Sequence, residues 1–312
     1  MIAPNQSGEG EPVRRVGRDP GIEELQSQLD RWMGELGLAV RHHYVATASG
    51  RVHALAAGSG RDAVILLPGL AASAGEFGRL IRRLAQRHLV VAIDRPGTGL
   101  SDPVRFRGHP RAPWVAVVKA VADHLGLTTM TVVGHSVGGL VAGAFAIAHP
   151  ERVSRLVLVS PLGLRRSIPL TWNVLLLPGA LEAVMAADRA RRVRLMPRTA
   201  ALGPRGESET SPMGAYRIGV ARRFAQGSDL SLLTRLMRPR SLRPESLLLP
   251  QLALLADRTL VVWGADDRDL RLAPSERALL GHPSLRLRVV AGQGHSLPFA
   301  KPGLLADLIR NG

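Results

Sequence analysis

The composition of the 312-residue chain indicates a globular, arginine-rich protein. Hydrophobic residues make up 46% of it, the mean hydropathy is +0.07 and the formal net charge is +16. The absence of cysteine excludes disulfide bonds and thiolate metal sites. The first residues lack the apolar core of a signal peptide, and no apolar run is long enough to span a bilayer. The sequence therefore predicts a cytoplasmic protein without an integral membrane segment.

The positive charge is concentrated in residues 161–250, which hold 15 arginines against six acidic residues. Such an excess can attract nucleic acid, anionic surfaces or anionic substrates. Aromatic residues are only 4% of the chain, and the arginines are scattered among leucines without a nucleic-acid-binding motif. A general preference for arginine over lysine is the simpler explanation, and we expect no nucleic-acid partner.

The N-terminal part of the chain contains a tail, a helix and a hairpin. Residues 1–20 are polar and without periodicity, which predicts a disordered tail. Apolar residues at helical spacing predict an amphipathic helix over 21–36, outside the main domain, so residues 1–40 form a tail and helix. Two alternating segments, 41–47 and 51–57, flank a Ser-Gly pair and predict an antiparallel hairpin.

From residue 63 onwards, apolar strands alternate with helices. The predicted strands are Ala63–Leu67, Leu89–Ile93, Met130–Val133, Arg155–Val159, Thr259–Trp263 and Leu285–Val290. The predicted helices cover 75–87, 113–125, 140–148, a segment near 274–280 and the chain after Pro298. This alternation favours an α/β fold with a mostly parallel, doubly wound sheet. A leucine-rich, proline-interrupted block, 161–250, predicts an inserted helical lid between two parts of the core, 41–160 and 251–312.

The candidate nucleophile is Ser136, in the only G-x-S-x-G motif of the chain. An apolar strand precedes the motif and a small-residue helix follows it, so the serine lies in a sharp turn between them. Such a turn strains the backbone and requires neighbours without bulk, which Gly134 and Gly138 supply. The turn would expose the serine hydroxyl beside the N-terminal amides of the helix.

Candidate partners for the serine follow two later strands. Asp267 comes after Thr259–Trp263, and His295 comes after Leu285–Val290. Parallel strands bring their carboxyl ends to one edge of the sheet, so these side chains and Ser136 should converge. His295 would accept the serine proton, and Asp267 would orient the imidazole.

Two other acidic residues near Asp267 compete for the same role. Asp266 and Asp269 are more simply interpreted as solvated, or as paired with Arg268 or Arg271. His135 is interpreted as packing beside the turn that carries Ser136.

An oxyanion formed by attack on a carbonyl needs two preorganised N–H donors. The backbone of Val137, directly after the serine, is one candidate. The other is the backbone of Leu70, because Gly69 lets the chain turn close to the pocket after the first buried strand.

A further glycine-rich segment, 94–102, fits neither a Walker loop nor a complete dinucleotide fingerprint. We interpret it as a structural loop in which Asp94 and Ser101 bind the backbone.

These segments together resemble the α/β-hydrolase superfamily, in particular its serine-dependent, lid-bearing members. The matching motifs are Leu66-Leu67-Pro68-Gly69-Leu70, Asp94 to Asp102, Gly134 to Gly139, Trp263 to Asp267 and Gly292 to His295. The resemblance implies an acid three residues after Gly264, which selects Asp267, and a second oxyanion donor just after Gly69. Many relatives have His-Gly where this chain has Pro68-Gly69. A serine nucleophile also argues against haloalkane dehalogenases and epoxide hydrolases, whose relatives carry aspartate there.

The expected function is hydrolysis of an ester-type bond in a small or medium, largely apolar substrate, without cofactor or metal. Thioesters, lactones and C–C bonds are alternatives that the resemblance implies on the same scaffold. A non-catalytic receptor-like relative and an anionic-surface-binding module are alternatives from other classes.

Overall fold

The structure, a computed structural model, describes residues 20–70, 72–104, 111–164, 210–225, 248–272 and 285–311. The predicted tail, most of the predicted lid and the helix expected near 274–280 lie outside the described residues. Within them, an eight-stranded sheet has the order β1-β2-β4-β3-β5-β6-β7-β8. The strands are β1 Val40–Thr47, β2 Gly50–Ala57, β3 Ala63–Leu67, β4 Leu89–Ile93, β5 Met130–His135, β6 Val153–Val159, β7 Thr259–Gly264 and β8 Arg286–Val290.

The sheet is parallel except at the predicted hairpin. Strands β1 and β2 pair with each other antiparallel, and β2 pairs antiparallel with β4. All later neighbours are parallel, which confirms the mostly parallel sheet. The central strands are nearly continuous apolar runs, as expected of strands covered on both faces.

Helices cover both faces of the sheet. They are α1 Pro20–Glu35, α2 Gly78–Leu84, α3 Arg111–His124, α4 Val137–Ala148, α5 Pro212–Ala225, α6 Leu249–Leu252, α7 Leu297–Ala300 and α8 Pro302–Asn311. Alternate residues of β3 enter two separate clusters of buried side chains, because successive side chains of a strand point to opposite faces. One cluster contains apolar residues of α3 and α4, and the other contains residues of α1, α2, α5 and α8.

Two elements differ from the sequence expectation. The segment predicted as one helix over 75–87 begins with a 3-10 turn, Ala74–Phe77, before α2. Helix α1 does not stand outside the main domain, because Leu25, Leu29 and Trp32 are buried in the core cluster of one sheet face. Amphipathic periodicity predicts which face of a helix is apolar, but it does not reveal what that face packs against.

Helix α5, which belongs to the predicted lid, also packs into the core. Helix α5 buries Tyr216 and Val220 in the cluster that contains α1. Gly219 allows this approach, since a Cβ there would lie 2.7 Å from a methyl group of Leu25. The Tyr216 hydroxyl lies 2.8 Å from Ser73 Oγ, after β3. None of the described helices has the length and apolar character that crossing a bilayer requires.

Candidate active site

Ser136 occupies a strained turn between β5 and α4, as the motif predicts. Its backbone has φ 54° and ψ −118°, a region that side-chain-bearing residues rarely adopt. Such a conformation costs on the order of 1–3 kcal/mol, so the surrounding packing must enforce it. Backbone bonds do so: Leu162 N and Gly139 N donate to Ser136 O at 2.9 Å, and Ser136 N donates to Val159 O at 3.0 Å.

Two glycines make the turn sterically possible. A Cβ on Gly138 would lie 2.1 Å from Leu67 O, and one on Gly134 would lie 2.3 Å from Gly138 O. Both contacts are with backbone, which cannot move aside as a flexible side chain can. The first turn of α4 therefore lies directly against the end of β3, beside the loop that carries Leu70.

Asp267 and His295 form a hydrogen-bonded pair at the same edge of the sheet. Asp267 Oδ2 lies 2.8 Å from His295 Nδ1, and Asp267 is only 4% exposed. Its other oxygen accepts the backbone N–H groups of Asp269 at 3.0 Å and Leu270 at 2.8 Å. These bonds hold the carboxylate plane, and through it the imidazole ring.

The pKa of Asp267 is held below its ordinary value of 3.8. Burial opposes ionisation and is the largest single influence, but the favourable interactions of the carboxylate together outweigh it. The three largest of them are the hydrogen bond from His295, the charge of His295 and the N–H of Leu270. Asp267 therefore stays ionised at neutral pH. The competing residues Asp266 and Asp269 are exposed.

His135 connects the serine turn to the loop of His295. The side chain is buried, as expected from the sequence, and its Nε2 lies 2.8 Å from the backbone oxygen of His295. Its ring centroid is 4.8 Å from that of His295 and 5.6 Å from that of Phe299. Burial, followed by repulsion from His295, lowers the pKa of His135 to about 3, so the ring is neutral and Nε2 carries the proton.

Within the described residues, no hydrogen bond joins Ser136 Oγ to His295. Bonds between a nucleophile and its base are often long or absent without substrate and tighten only in the complex. The structure thus brings Asp267 and His295 together, and it brings His295 against the residue that precedes Ser136.

Leu70 follows Gly69 in the loop after β3, and Val137 is the first residue of α4. A Cβ on Gly69 would lie 3.2 Å from Ser136 Cβ, so this loop passes close to the serine. Among the described residues no acceptor pairs with the N–H of Leu70 or of Val137. The first N–H groups of a helix have no partner within it, which leaves that of Val137 available to a ligand.

A metal ion is a poor fit to this site. Asp267, Asp269 and His295 present possible ligand atoms within 4.8 Å of one another. However, the Asp267 carboxylate already accepts hydrogen bonds at both oxygens, and one of them is from His295 Nδ1. These groups are used to orient one another, so we assign no metal here.

The segment 94–102 is a structural loop, as interpreted from the sequence, and it also contains a residue that sequence reasoning missed. Asp94 accepts the N–H groups of Ala74 and Leu100, and Ser101 Oγ donates to Asp94 O. The missed residue is Arg95, which is 2% exposed and donates from Nη2 to Gly69 O at 2.8 Å. Its only sequence signal is a charged residue two positions after a buried strand.

The fold and the site together define the family of this chain. A family model described as alpha/beta hydrolase fold matches residues 62–302, and the chain belongs to that family. The chain is 28% identical over 256 residues to the 2-hydroxy-6-oxononadienedioate/2-hydroxy-6-oxononatrienedioate hydrolase of Cupriavidus pinatubonensis. That alignment covers 78% of this chain and 84% of the relative.

Two further similarities extend the comparison. The chain is 27% identical over 280 residues to the dihydrolipoyllysine-residue acetyltransferase component of the acetoin cleaving system of Cupriavidus necator. The alignment covers 84% of this chain but only 66% of that longer relative. The crystal structure of carboxylesterase CesB from Bacillus subtilis shares the fold, with a TM-score of 0.67 and 21% identity over 93% of this chain and 97% of that one.

Proposed function

We propose that this protein is a serine hydrolase that cleaves a carboxylic ester of a small or medium, largely apolar molecule through an acyl-enzyme. The observation that carries the proposal is the strained Ser136 turn beside the His295–Asp267 pair, whose atoms are 2.8 Å apart. A serine held in a strained turn, a histidine that accepts its proton and an ionised carboxylate are the three groups that nucleophilic acyl transfer needs.

In the proposed reaction, Ser136 Oγ attacks the ester carbonyl carbon while its proton passes to His295 Nε2. The tetrahedral intermediate collapses, the C–O bond to the alcohol breaks, and the alcohol leaves with that proton. Water then attacks the acyl-enzyme, giving a proton to His295, which returns it to Ser136 Oγ as the carboxylic acid is released. Asp267 stays ionised throughout and stabilises the imidazolium, in keeping with its lowered pKa.

The oxyanion of the tetrahedral intermediate would be bound by the N–H groups of Val137 and Leu70. Both belong to segments that lie beside Ser136, and neither has another acceptor among the described residues. A donor aimed at the developing charge in a desolvated site contributes about 2.7–4 kcal/mol to the transition state. The reaction uses only groups of the chain itself, with a small-molecule substrate as the partner.

We assign the choice among substrates to the predicted lid, residues 161–250. An apolar underside over the serine would bury an acyl chain and exclude water. Hydrolysis of a C–C bond is the second candidate, and the Cupriavidus pinatubonensis relative favours it because that alignment spans most of both chains. The cytoplasmic location expected from the sequence remains a prediction.

The test combines covalent labelling with a substrate panel. We expect a fluorophosphonate to label Ser136, and p-nitrophenyl esters of varied chain length to be hydrolysed by the wild type. Ser136→Ala should lose both properties at unchanged stability, because it removes the attacking atom and little volume. Ser154→Ala, which alters an exposed serine of β6, is the matched control and should behave as wild type. Labelling at another serine, or turnover by Ser136→Ala, would rule out the proposal.

A panel with vinylogous 1,5-diketones alongside the esters separates the two candidate reactions. Faster cleavage of the diketones than of any ester would favour the C–C hydrolase. No labelling of the folded wild type would favour a non-catalytic relative instead.

A further inference from the structure

Arg95 is a buried arginine two residues after β4, at the edge of the sheet where the candidate site lies. It is 2% exposed, although arginine is rarely buried unless its charge is well hydrogen-bonded. Its guanidinium carbon lies 5.4 Å from the centre of the Trp114 ring, and Nη2 donates to Gly69 O at 2.8 Å. The residue held by this bond is the glycine that precedes the candidate oxyanion donor Leu70.

The direction of the Leu70 N–H is coupled to this bond by peptide geometry. In a planar trans peptide, the carbonyl of one residue and the N–H of the next point in opposite directions. Gly69 O is held on one side by Arg95 at 2.8 Å and by Ala72 N at 3.3 Å. The Leu70 N–H therefore points away from Arg95, and rotation of the peptide would break both bonds.

Asp94, the neighbour of Arg95, holds the other end of the same loop. Its Oδ1 accepts the N–H of Ala74 at 2.7 Å, and it is itself completely buried. Two consecutive residues at the end of β4 thus hold a carbonyl and an N–H on either side of Leu70. A Cβ added to Gly69 would lie 3.2 Å from Ser136 Cβ. The anchored peptide therefore lies next to the serine.

We propose that Arg95 is a positioning residue for the oxyanion hole. By holding Gly69 O, it directs the Leu70 N–H toward the reacting carbonyl, and by polarising the peptide it strengthens that N–H as a donor. This inference rests on the proposed function, since it assigns Arg95 a part in stabilising the same tetrahedral intermediate. Arg95 touches neither the substrate nor the reacting atoms.

The test is Arg95→Met, which keeps a long apolar stem over Trp114 and removes the donor. Loss of an oxyanion donor lowers kcat about 10²- to 10³-fold, and a misdirected donor should lower it by about 10- to 100-fold. KM should change by less than about threefold, because the bond acts in the transition state and not in substrate binding. In a Ser136→Ala background, the added Arg95→Met should leave the Kd for the intact ester unchanged.

Two measurements distinguish positioning from a general structural role. A trifluoromethyl ketone forms an oxyanion-bearing adduct with the serine, and its affinity should fall in parallel with kcat. Arg95→Lys can donate a single bond and should recover part of both losses; it also serves if Arg95→Met does not fold. Arg155→Met is the matched control: Arg155, in β6, donates to Ile309 O and Leu308 O of α8 at 2.7 and 2.8 Å.

The outcomes separate this inference from the function on which it rests. If the wild type is labelled at Ser136 and Arg95→Met keeps wild-type kcat and inhibitor affinity, the role of Arg95 is disproved while the hydrolase stands. Equal losses in Arg95→Met and Arg155→Met, or an equal loss in ground-state Kd, would also disprove it. If the wild type is not labelled at all, the proposed function fails and this role fails with it.

Discussion

The Nε2 atom of His135 lies 2.8 Å from the backbone oxygen of His295, 160 residues further along the chain. The residue that precedes the candidate nucleophile therefore holds the backbone of the candidate base. A protonated ring would still donate this bond, but burial lowers the pKa of His135 to about 3 and keeps the ring neutral. The bond thus couples two loops without placing a second charge beside the Asp267–His295 pair.

The buried, neutral His135 predicts a specific pH dependence of stability. Below the ordinary pKa of 6.5 the unfolded chain binds a proton at this ring and the folded chain does not, down to about pH 3. The free energy of unfolding should therefore fall by about 1.4 kcal/mol per pH unit in this range, or about 2 kcal/mol at pH 5. His135→Asn should lack this component, as measured by urea unfolding between pH 5 and pH 9.

The comparison contains its own control. Above about pH 7.5 the ring is neutral in both states, so the curves of wild type and His135→Asn should run parallel there. Below pH 6.5 the curve of the variant should be flatter. Equal slopes on the acidic side would mean that His135 takes up a proton in the folded protein.

Asp267 and Asp266 offer a test of which acid acts in the site. Asp267→Asn should lower kcat by about three to four orders of magnitude, because an amide cannot fix the tautomer or stabilise the imidazolium as a carboxylate does. Asp266 is exposed, and Asp266→Asn should retain nearly the wild-type rate. Initial rates of the two variants and the wild type with one p-nitrophenyl ester test this prediction. If the two variants exchanged these effects, the assignment of the acid would be in error by one residue.

We predict that adding a methyl group at Gly69 lowers the catalytic rate. A Cβ at this position would lie 3.1 Å from His135 Nδ1 and 3.2 Å from Ser136 Cβ. Both contacts are tight, so Gly69→Ala should displace the serine or the Leu70 peptide and lower kcat by about tenfold or more.

The matched control is Gly34→Ala in α1, where a Cβ would meet nothing within 4 Å. That variant should keep its activity and gain up to about 1 kcal/mol in stability, since alanine is the better helix former. Thermal unfolding and kcat should be measured for both Gly69→Ala and Gly34→Ala. Full activity of Gly69→Ala would show that the loop has room to adjust.

Asp94 should be a major determinant of stability. It is completely buried and accepts hydrogen bonds from Ala74 N at 2.7 Å and Leu100 N at 3.0 Å, and its Oδ2 lies 2.7 Å from His53 Nδ1. Asp94→Ala leaves all three partners unsatisfied and should cost about 3–5 kcal/mol.

Asp102, in the same loop, provides the comparison. It accepts Arg51 N at 2.9 Å from a more exposed position, so Asp102→Ala should cost about 1 kcal/mol. Urea unfolding of both variants checks the difference. Similar losses in the two would mean that the buried cluster around Asp94 relaxes or admits water.

The sequence by itself determined the core of the fold and the chain positions of the candidate residues. Continuous apolar runs identified the central strands, because strands covered on both faces have no polar side to reveal. The glycines around Ser136 were also readable, since a strand-to-helix turn this tight excludes a Cβ at Gly134 and Gly138. These properties are local, so neighbouring residues are enough to indicate them.

Only the tertiary structure decided which distant groups meet. The packing of α1 against the core, the approach of α5 to Ser73, and the bond from Arg95 to Gly69 join residues far apart in the chain. The bond from His135 to the His295 carbonyl is of the same kind. Periodicity and motif spacing do not encode such contacts, because they depend on how sheet edges and helix faces pack in three dimensions.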